Sequence, residues 1–482
     1  MHAMSGDGRI SMAERDSDDL RLLVSVPRSV RGVDAACSMV VGVADASGSG
    51  AGASVESIEV SAGRSGRVFT LGRELKPAAA AAAFAASAPP SAGDEAAQQL
   101  GRAVAAGGVH VTFQASARDI GASAAAGDIM TLDVRATVVS DGRVRTLEQT
   151  CEVRVSQAVE GLAGWTVGDA HVHTTFSDAI FPWVTPHWQA DRAAAAGLDW
   201  IVLTDHADQL PEDEYTRQRE KSEAAQAASG VTVVVGEEIG QADGHYLALG
   251  AGGYLPSARP ADAVRATKEK GGFGYVAHPF HSSRWDFSVE GFSGLEIATA
   301  WPTCAPDDRA LARLDRQAAA RRGWAVMSNG DDHLGVGLGG NATWVFTGGE
   351  TSAAAVIAGL RAGRTAAGNG PLLAFTAAGV GIGGTLGIHA GTEVPLVAEW
   401  PSGYEFDRLV VTVNGRRSEH EVTEEENAAH SASVPAEFAA DGYVRLEGYG
   451  ADEDFVVTSP VFVNIGGGRS AKARADKAVR PA

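Results

Sequence analysis

Residues 165–178 read WTVGDAHVHTTFSD, an apolar run that ends in two histidines and is followed by an acidic loop residue. Side chains alternate along an extended strand, so His171 and His173 point to the same side and can bind one metal ion together. Asp178, five residues further on, can reach a neighbouring ion from the loop. An HxH pair alone is a weak signal, and the prediction of a metal site depends on further ligands elsewhere in the chain.

After this segment, apolar strand-like runs alternate with helix-like segments. The later strand-like runs are WIVLTDH, VTVVVGEEI, FGYVAHP, GLEIATA, WAVMSNGDDH and ATWVFTG, with helix-like segments between them. Buried strands that alternate with helices predict parallel βα units in an α/β fold. We expect them to close into a distorted seven-stranded, TIM-like β/α barrel. In such barrels catalytic groups gather at the strand ends, because the loops converge there.

Candidate metal ligands stand at the ends of these later strands. His206 ends the second strand in TDH, and we expect its neighbour Asp205 to orient a ligand rather than bind metal. Glu238 in GEEI is the predicted carboxylate that bridges two ions, with Glu237 as the alternative. The remaining candidates are His245 in GHYLAL, His278 in AHP, and Asp331 and His333 in GDDH. Nitrogen and oxygen ligands without thiolate suit zinc, manganese and iron.

Candidate substrate contacts follow the fourth and fifth strands. PFHSSRW supplies His281 and Arg284, and an arginine fork suits a phosphate or a carboxylate. A surface arginine and a structural histidine are the equally weighted alternative. Glu296 in GLEIATA ends the fifth strand and is a candidate to face the substrate. His187 begins a helix, and we interpret it as structural.

Composition limits the classes of protein to which the chain can belong. Its 482 residues predict two or three domains, and the net charge of −20 argues against binding duplex nucleic acid. A phosphorylated substrate stays compatible with this charge, because bound cations invert the local field. No run of eighteen apolar residues occurs, and the polar N-terminus lacks the apolar core of a secretory signal. We therefore expect no membrane span and a cytoplasmic location, whereas the oligomeric state is not predicted.

The segments on either side of the predicted barrel consist of short alternating strands. They favour β-sandwich-like domains, and the three separated cysteines form no disulfide framework. The predicted division is 1–160 for an N-terminal β-rich domain, 161–370 for the barrel, 371–465 for a small β domain and 466–482 for a disordered tail.

Taken in order, HVHTTFSD, TDH, GEEI with GHYLAL, AHP and GDDH resemble the motifs of the polymerase and histidinol phosphatase (PHP) family of metal-dependent hydrolases. The resemblance covers residues 165–375. The short gap from Glu238 to His245 and the segment GRTAAGNGPLL are similar to a branch that contains carbamate-hydrolysing enzymes. Membership would imply a distorted seven-stranded barrel that holds two to three divalent ions, usually manganese, iron or zinc.

The resemblance also implies how the ligands are shared among three ions. One ion would bind His171, His173, Glu238 and Asp331, a second Glu238, His245 and His278, and a third Asp178, His206 and His333. Every ligand position is filled, which implies an active enzyme. Glu238, Asp331 and His278 would then serve catalysis around a metal-activated hydroxide.

Three hypotheses about function follow. The first is a phosphoesterase acting on a small phosphorylated molecule, such as a nucleotide or the end of an oligonucleotide. The second is a carbamate or carboxylic ester hydrolase that uses the same metals. The third is a binding or scaffold protein without catalysis, in which the barrel serves stability alone.

Overall fold

The computed structural model describes residues 10–12, 20–25, 29–31, 37–45, 53–62, 65–74, 108–116, 129–140, 142–156, 161–177, 183–241, 244–256, 260–280, 291–299, 306–320, 323–333, 337–450 and 454–466. Asp178, His281 and Arg284 lie outside these residues, as does the predicted tail apart from its first residue. None of the helices in this part of the chain combines the length and the apolar composition needed to cross a lipid bilayer.

The N-terminal strands form two sheets, with the orders β1-β2-β4-β7 and β3-β9-β8-β5-β6. Their bounds are β1 Ile10–Met12, β2 Leu20–Ser25, β3 Ser29–Arg31, β4 Cys37–Asp45, β5 Ser54–Ala62, β6 Ser65–Glu74, β7 Val109–Ala115, β8 Ile129–Ser140 and β9 Arg143–Ser156. Every second side chain of β8 is buried from Met130 onward. Buried side chains of both sheets, including Leu22, Val41, Ile58 and Leu132, share one hydrophobic core. The two sheets therefore pack face to face.

The middle of the chain alternates strands with helices. Its elements are β10 Trp165–Val172, α1 Pro186–Ala195, β11 Trp200–Leu203, α2 Glu212–Ser229, β12 Thr232–Val235, β13 Glu237–Gln241, β14 Gly244–Leu249, α3 Pro260–Glu269, β15 Phe273–Val276, β16 Gly294–Thr299, α4 Asp308–Ala320, β17 Ala325–Asn329, β18 Ala342–Phe346, α5 Ala353–Arg361 and β19 Thr365–Gly368. Strands β10, β11 and β12 are parallel neighbours, as are β15, β16 and β17. All residues of β11, β15, β16 and β17 are buried, as expected for parallel strands covered on both faces.

The C-terminal strands divide between the sheet of β10 and a separate four-stranded sheet. Their elements are β20 Ala374–Ala377, β21 Val380–Gly381, β22 Thr385–Ile388, β23 Glu393–Glu399, β24 Arg408–Val413, β25 Arg416–Glu421, α6 Glu424–Ala429, β26 Ser431–Glu437, β27 Gly442–Tyr449, β28 Phe455–Thr458 and β29 Val461–Ile465. The sheet of β10 takes β22, β24, β25, β27, β28 and β29, and the separate sheet has the order β21-β20-β23-β26. The main path of the sheet that contains β10 is β12-β11-β10-β18-β19-β28-β27-β24-β25. Hydrogen bonding thus crosses residue 370, where the sequence predicts a domain boundary.

Two strands of the middle region run against the predicted parallel order. The segment GHYLAL forms β14, which is antiparallel to β13 and β15, and the predicted seventh barrel strand forms β18, which is antiparallel to β10. A parallel pair needs a crossover of a dozen or more residues, usually a helix. Only residues 242–243 separate β13 from β14, so this pair has to be a hairpin.

Two isolated parallel bridges join the ends of the central strands. One links Val172 to Asp332, and the other links His206 to Glu238. The backbone N–H of His173 also donates to the carbonyl of Asp332 at 3.1 Å. The ends of β10 and β11, the start of β13 and the segment after β17 therefore meet in one place.

Candidate metal centre

Eight of the nine predicted metal ligands lie in the described part of the chain, and their side chains converge there. This histidine–carboxylate cluster consists of His171, His173, His206, Glu238, His245, His278, Asp331 and His333. The side chains of His171 and His173 are fully buried, whereas those of His245 and His333 are 25% and 26% exposed. The cluster is thus closed on one side and open to solvent on the other.

The carboxylate of Glu238 lies at the centre of the cluster. The nearest imidazole nitrogens are those of His171, His173 and His206 at 3.4, 3.3 and 3.1 Å from Oε2, and those of His245 and His278 at 2.9 and 3.0 Å from Oε1. Each oxygen therefore has its own set of histidines. A carboxylate in this position can bridge two cations.

Three subsets of the cluster are compact enough to hold an ion. Within each subset the ligand atoms lie within 4.8 Å of one another. The first subset is His171, His173, Glu238 and Asp331, the second is His206, Glu238 and His245, and the third is His173, His206 and His333. In the first, Asp331 Oδ1 lies 3.2 Å from Nε2 of His171 and 3.3 Å from Nε2 of His173. In the third, the rings of His173 and His333 stack with centroids 3.9 Å apart.

Two residues of the cluster adopt a left-handed backbone conformation that residues other than glycine rarely adopt. The φ angles are +23° at His278 and +51° at Asp331. Such conformations cost free energy and persist where the surroundings enforce them, often at functional sites. Before Asp331, the N–H of Gly330 donates to Asp169 Oδ2 at 2.8 Å, and a Cβ at position 330 would lie 2.7 Å from that oxygen. A side chain at position 330 would therefore displace the Asp169 carboxylate that accepts this N–H.

Burial and charge act in opposite directions on the pKa values of the cluster. Burial alone would raise the pKa of Glu238, but His206, His245 and His171 hold it well below its usual range. Asp331 behaves in the same way: burial opposes ionisation, and the histidines around it keep its pKa well below the usual value. Conversely, the carboxylates around His171 raise its pKa well above the usual value although burial favours the neutral ring. The cluster thus contains ionised carboxylates that attract positive charge.

The unpaired atoms of the cluster fit divalent metal ions. His171 Nε2, Glu238 Oε2 and Asp331 Oδ1 are buried and form no hydrogen bond with the described residues. A buried polar atom without a hydrogen bond is costly, and coordination to a cation would offset that cost. Imidazole nitrogen and carboxylate oxygen are ligands that zinc, manganese and iron accept.

Comparison with known proteins gives only distant likenesses. No family model matches the chain, and no curated protein matches its sequence. Among solved structures, it is similar to a two-domain protein from Bacteroides vulgatus ATCC 8482 containing a predicted PHP-like metal-dependent phosphoesterase, with 20% identity, a TM-score of 0.37 and coverage of 63% of this chain and 97% of that one. It is also similar to the lesion-specific endonuclease Q of Pyrococcus furiosus, with 15% identity, a TM-score of 0.30 and coverage of 41% and 55%. A β-glucuronidase of Parabacteroides merdae matches at 10% identity and a TM-score of 0.20 over 94% of this chain and 63% of that one. With each of these TM-scores below 0.5, function has to be inferred from the site itself.

Asp205 lies beside the cluster and binds the loop after β10. Its Oδ1 accepts hydrogen bonds from Thr174 N at 2.7 Å and Ser177 Oγ at 2.6 Å, and its Oδ2 accepts from Thr174 Oγ1 at 2.6 Å. Gln218 Nε2 donates to the same Oδ2. The side chain therefore fixes the backbone directly after His173.

The other two predicted carboxylates point in different directions. Glu237 turns away from the histidines: its carboxylate accepts the N–H of Leu255 at 2.9 Å, and burial raises its pKa to about 8. Glu296, the candidate substrate contact on the fifth predicted strand, lies beside a candidate metal ligand. It is 1% exposed and contacts His171 at 3.1 Å, because both faces of β16 are buried. His187, in contrast, is exposed on α1.

Sequence analysis missed two polar residues that support the cluster. Asp169 Oδ1 accepts the N–H of His171 at 2.9 Å, and Asn329 Oδ1 accepts the N–H of Ala170 at 2.8 Å. Both are fully buried. The sequence does indicate them: Asp169 in GDAHVH and Asn329 in SNGDDH are polar residues within apolar strands, and a buried polar residue needs a hydrogen-bonding partner.

Proposed function

We propose that this protein is a metal-dependent hydrolase, and more specifically a phosphoesterase acting on a small phosphorylated molecule such as a nucleotide or an oligonucleotide end. The observation that carries the proposal is the buried carboxylate of Glu238, with nitrogens of five described histidines within 3.4 Å of its oxygens. The sequence resemblance to the PHP family supports the same class of reaction.

The ligand arrangement that we propose has three ions. His171, His173, Glu238 and Asp331 would hold the first, Glu238, His245 and His278 the second, and Asp178, His206 and His333 the third. The compactness of the four-residue subset supports the first assignment. For the second, the contacts of Glu238 Oε1 with His245 and His278 are the support.

The chemistry divides between the metals and the chain. Divalent ions bound in the cluster would lower the pKa of a coordinated water and neutralise charge on a phosphoryl oxygen and its leaving group. Glu238, Asp331 and His278 would hold the reacting groups in place. Substrate would approach from the side of His245 and His333, the more exposed histidines. The buried side at His171 would exclude water from behind the reacting centre.

We further propose that the central strands close into one distorted barrel. The bridges between Val172 and Asp332 and between His206 and Glu238 support this, since they connect the two sheets at both ends. Strand β14 would enter this barrel as its antiparallel member.

Metal reconstitution tests the proposed function. Chelator-treated protein should hydrolyse nothing, and addition of Zn²⁺, Mn²⁺ or Fe²⁺ should restore cleavage of aryl phosphates, nucleotides or short oligonucleotides. Bound metal should also raise the free energy of unfolding, by about 2.7 kcal/mol when free metal is 100 times its Kd. The measurements are metal content, thermal unfolding and a substrate panel that includes aryl carbamates and esters.

Two results would contradict the proposal at different levels. Cleavage of carbamates or esters without any phosphoester would refute the phosphoesterase assignment while keeping the metal-dependent hydrolase. A chain that binds none of the three metals and hydrolyses nothing would refute the enzyme assignment itself.

A further inference from the structure

Glu296 is a buried carboxylate next to the cluster that receives three donors. His171 Nδ1 lies 3.1 Å from Oε1 and 3.3 Å from Oε2. The backbone N–H of His278 donates to Oε2 at 2.8 Å, and Asn329 Nδ2 donates to Oε1 at 2.7 Å. Two of these donors thus belong to residues whose other atoms contact Glu238.

The contact with His171 determines which ring nitrogen carries the proton. A carboxylate oxygen of Glu296 accepts the hydrogen of Nδ1, so a cation bound to His171 would replace the proton of Nε2 and take the lone pair of that nitrogen. Nε2 is the atom that faces Glu238 and Asp331, at 3.4 and 3.2 Å. Glu296 therefore presents the lone pair of His171 to the proposed first ion.

The contact with His278 acts on the backbone. The φ angle of +23° is unfavourable for histidine, and the hydrogen bond from its N–H to Glu296 holds this conformation in place. The ring then reaches Glu238 Oε1 with Nε2 at 3.0 Å. One side chain thereby fixes ligands of two proposed ions.

The third donor fixes Glu296 itself. Asn329 donates to Glu296 and accepts the N–H of Ala170, the residue before His171. Its position two residues before Asp331 places it in the strand that leads to another candidate ligand. Strands β10, β16 and β17 are thus joined through Glu296 and Asn329.

We propose that Glu296 is a positioning residue, which sets the tautomer of His171 and the orientation of His278 and thereby the metal affinity of the cluster. The inference rests on the proposed metal site. It also assigns Glu296 a role different from the substrate contact that its place in the sequence suggested.

The test is the affinity of Glu296→Gln for Zn²⁺, together with the visible absorption spectrum of the Co²⁺-loaded protein. A glutamine amide can donate to Nδ1 and stabilise the wrong tautomer, so the Zn²⁺ affinity should fall about 10- to 100-fold. The Co²⁺ spectrum should change, because the ligand geometry changes. Glu296→Asp keeps the negative acceptor but withdraws it by one methylene from His171 and His278, so it should recover only part of the affinity.

Glu447→Gln is the matched control, since it makes the same change at a fully buried carboxylate that is bound by Arg445, Arg417 and Tyr449. It should lower thermal stability and leave Zn²⁺ affinity and the Co²⁺ spectrum unchanged. Wild-type affinity and spectrum in Glu296→Gln would overturn the positioning role alone. A wild-type protein that binds neither metal would overturn the metal site and the positioning role together. If Glu296→Gln does not fold, Glu296→Asp decides: an affinity within twofold of wild type overturns the positioning role.

Discussion

In the described part of the chain, two buried clusters of charged and polar side chains differ in how completely they are hydrogen-bonded. The unpaired cluster is the histidine–carboxylate cluster, and the paired cluster consists of Arg445, Asp315 and Glu447. In the second, Arg445 donates from Nε and Nη2 to Asp315 at 2.8 and 2.9 Å and from Nη1 to Glu447 at 2.7 Å. Arg417 and Tyr449 complete the hydrogen bonding of Glu447. These side chains join α4 to β27.

The histidine–carboxylate cluster lacks this closure. His171 Nε2, Glu238 Oε2 and Asp331 Oδ1 have no hydrogen bond within the described residues. Every polar side-chain atom of Arg445 and Glu447, in contrast, is hydrogen-bonded. Buried polar groups of a structural network are normally satisfied. The paired cluster is thus satisfied within the fold, whereas the histidine–carboxylate cluster keeps buried atoms that could coordinate a cation.

The largest expected effect comes from breaking the paired cluster. Arg445→Met would leave Asp315 and Glu447 without their shared guanidinium, and loss of one partner in a buried ion pair costs about 3–5 kcal/mol. Urea denaturation should show this loss, while Zn²⁺ affinity of the folded protein stays unchanged. Arg135→Met is the control: this exposed arginine pairs with Glu148, and such pairs contribute little. Equal losses in the two variants would contradict a stabilising role for the paired cluster.

The next effect comes from the unpaired cluster. Glu238→Gln removes the negative charge that we propose two ions share, so metal content should fall and hydrolysis should drop about 10²–10³-fold. Steady-state kinetics and metal analysis of the purified variant check this prediction. Glu237→Gln is the matched control, because its carboxylate faces Leu255 and not the histidines. If Glu237→Gln lost the metal and Glu238→Gln kept it, Glu237 and not Glu238 would be the metal-binding carboxylate.

Sequence was sufficient to select residues that the structure brings together, for a physical reason. His171 and His173 occupy alternate positions of one strand, and His206, His278 and Asp331 each follow an apolar strand. Alternation predicts which side chains share a face, and parallel strands bring their ends to one edge. These rules need no knowledge of packing.

Other features depended on packing and could not be predicted in this way. All six residues of β16 are buried, so alternation could not predict that Glu296 contacts His171. Apolar content also does not give strand direction, which is why β18 was assigned to the parallel set. The supporting residues Asp169 and Asn329 become recognisable only when the donors around them are known.

The smallest expected effect is a change in Zn²⁺ affinity on substitution of Asp205, which lies at the edge of the unpaired cluster. Asp205 accepts four hydrogen bonds from Thr174, Ser177 and Gln218. Its carboxylate is therefore as fully hydrogen-bonded as those of the paired cluster, although it lies next to the unpaired cluster. Asp205→Asn keeps the shape of the side chain, and hydroxyl groups can rotate to accept from the new amide. We therefore expect only about a tenfold loss of Zn²⁺ affinity, through loosening of the segment after His173.

Asp199→Asn provides the control from the other end of β11. Its carboxylate accepts the N–H of Val167 at 2.8 Å and so joins β10 to β11 in the same manner, but far from the histidines. Isothermal titration with Zn²⁺ should show wild-type affinity for Asp199→Asn and weakened affinity for Asp205→Asn. Equal affinity in both variants would mean that the segment 174–177 keeps its position without Asp205. Support of the cluster would then depend on Glu296, Asn329 and Asp169.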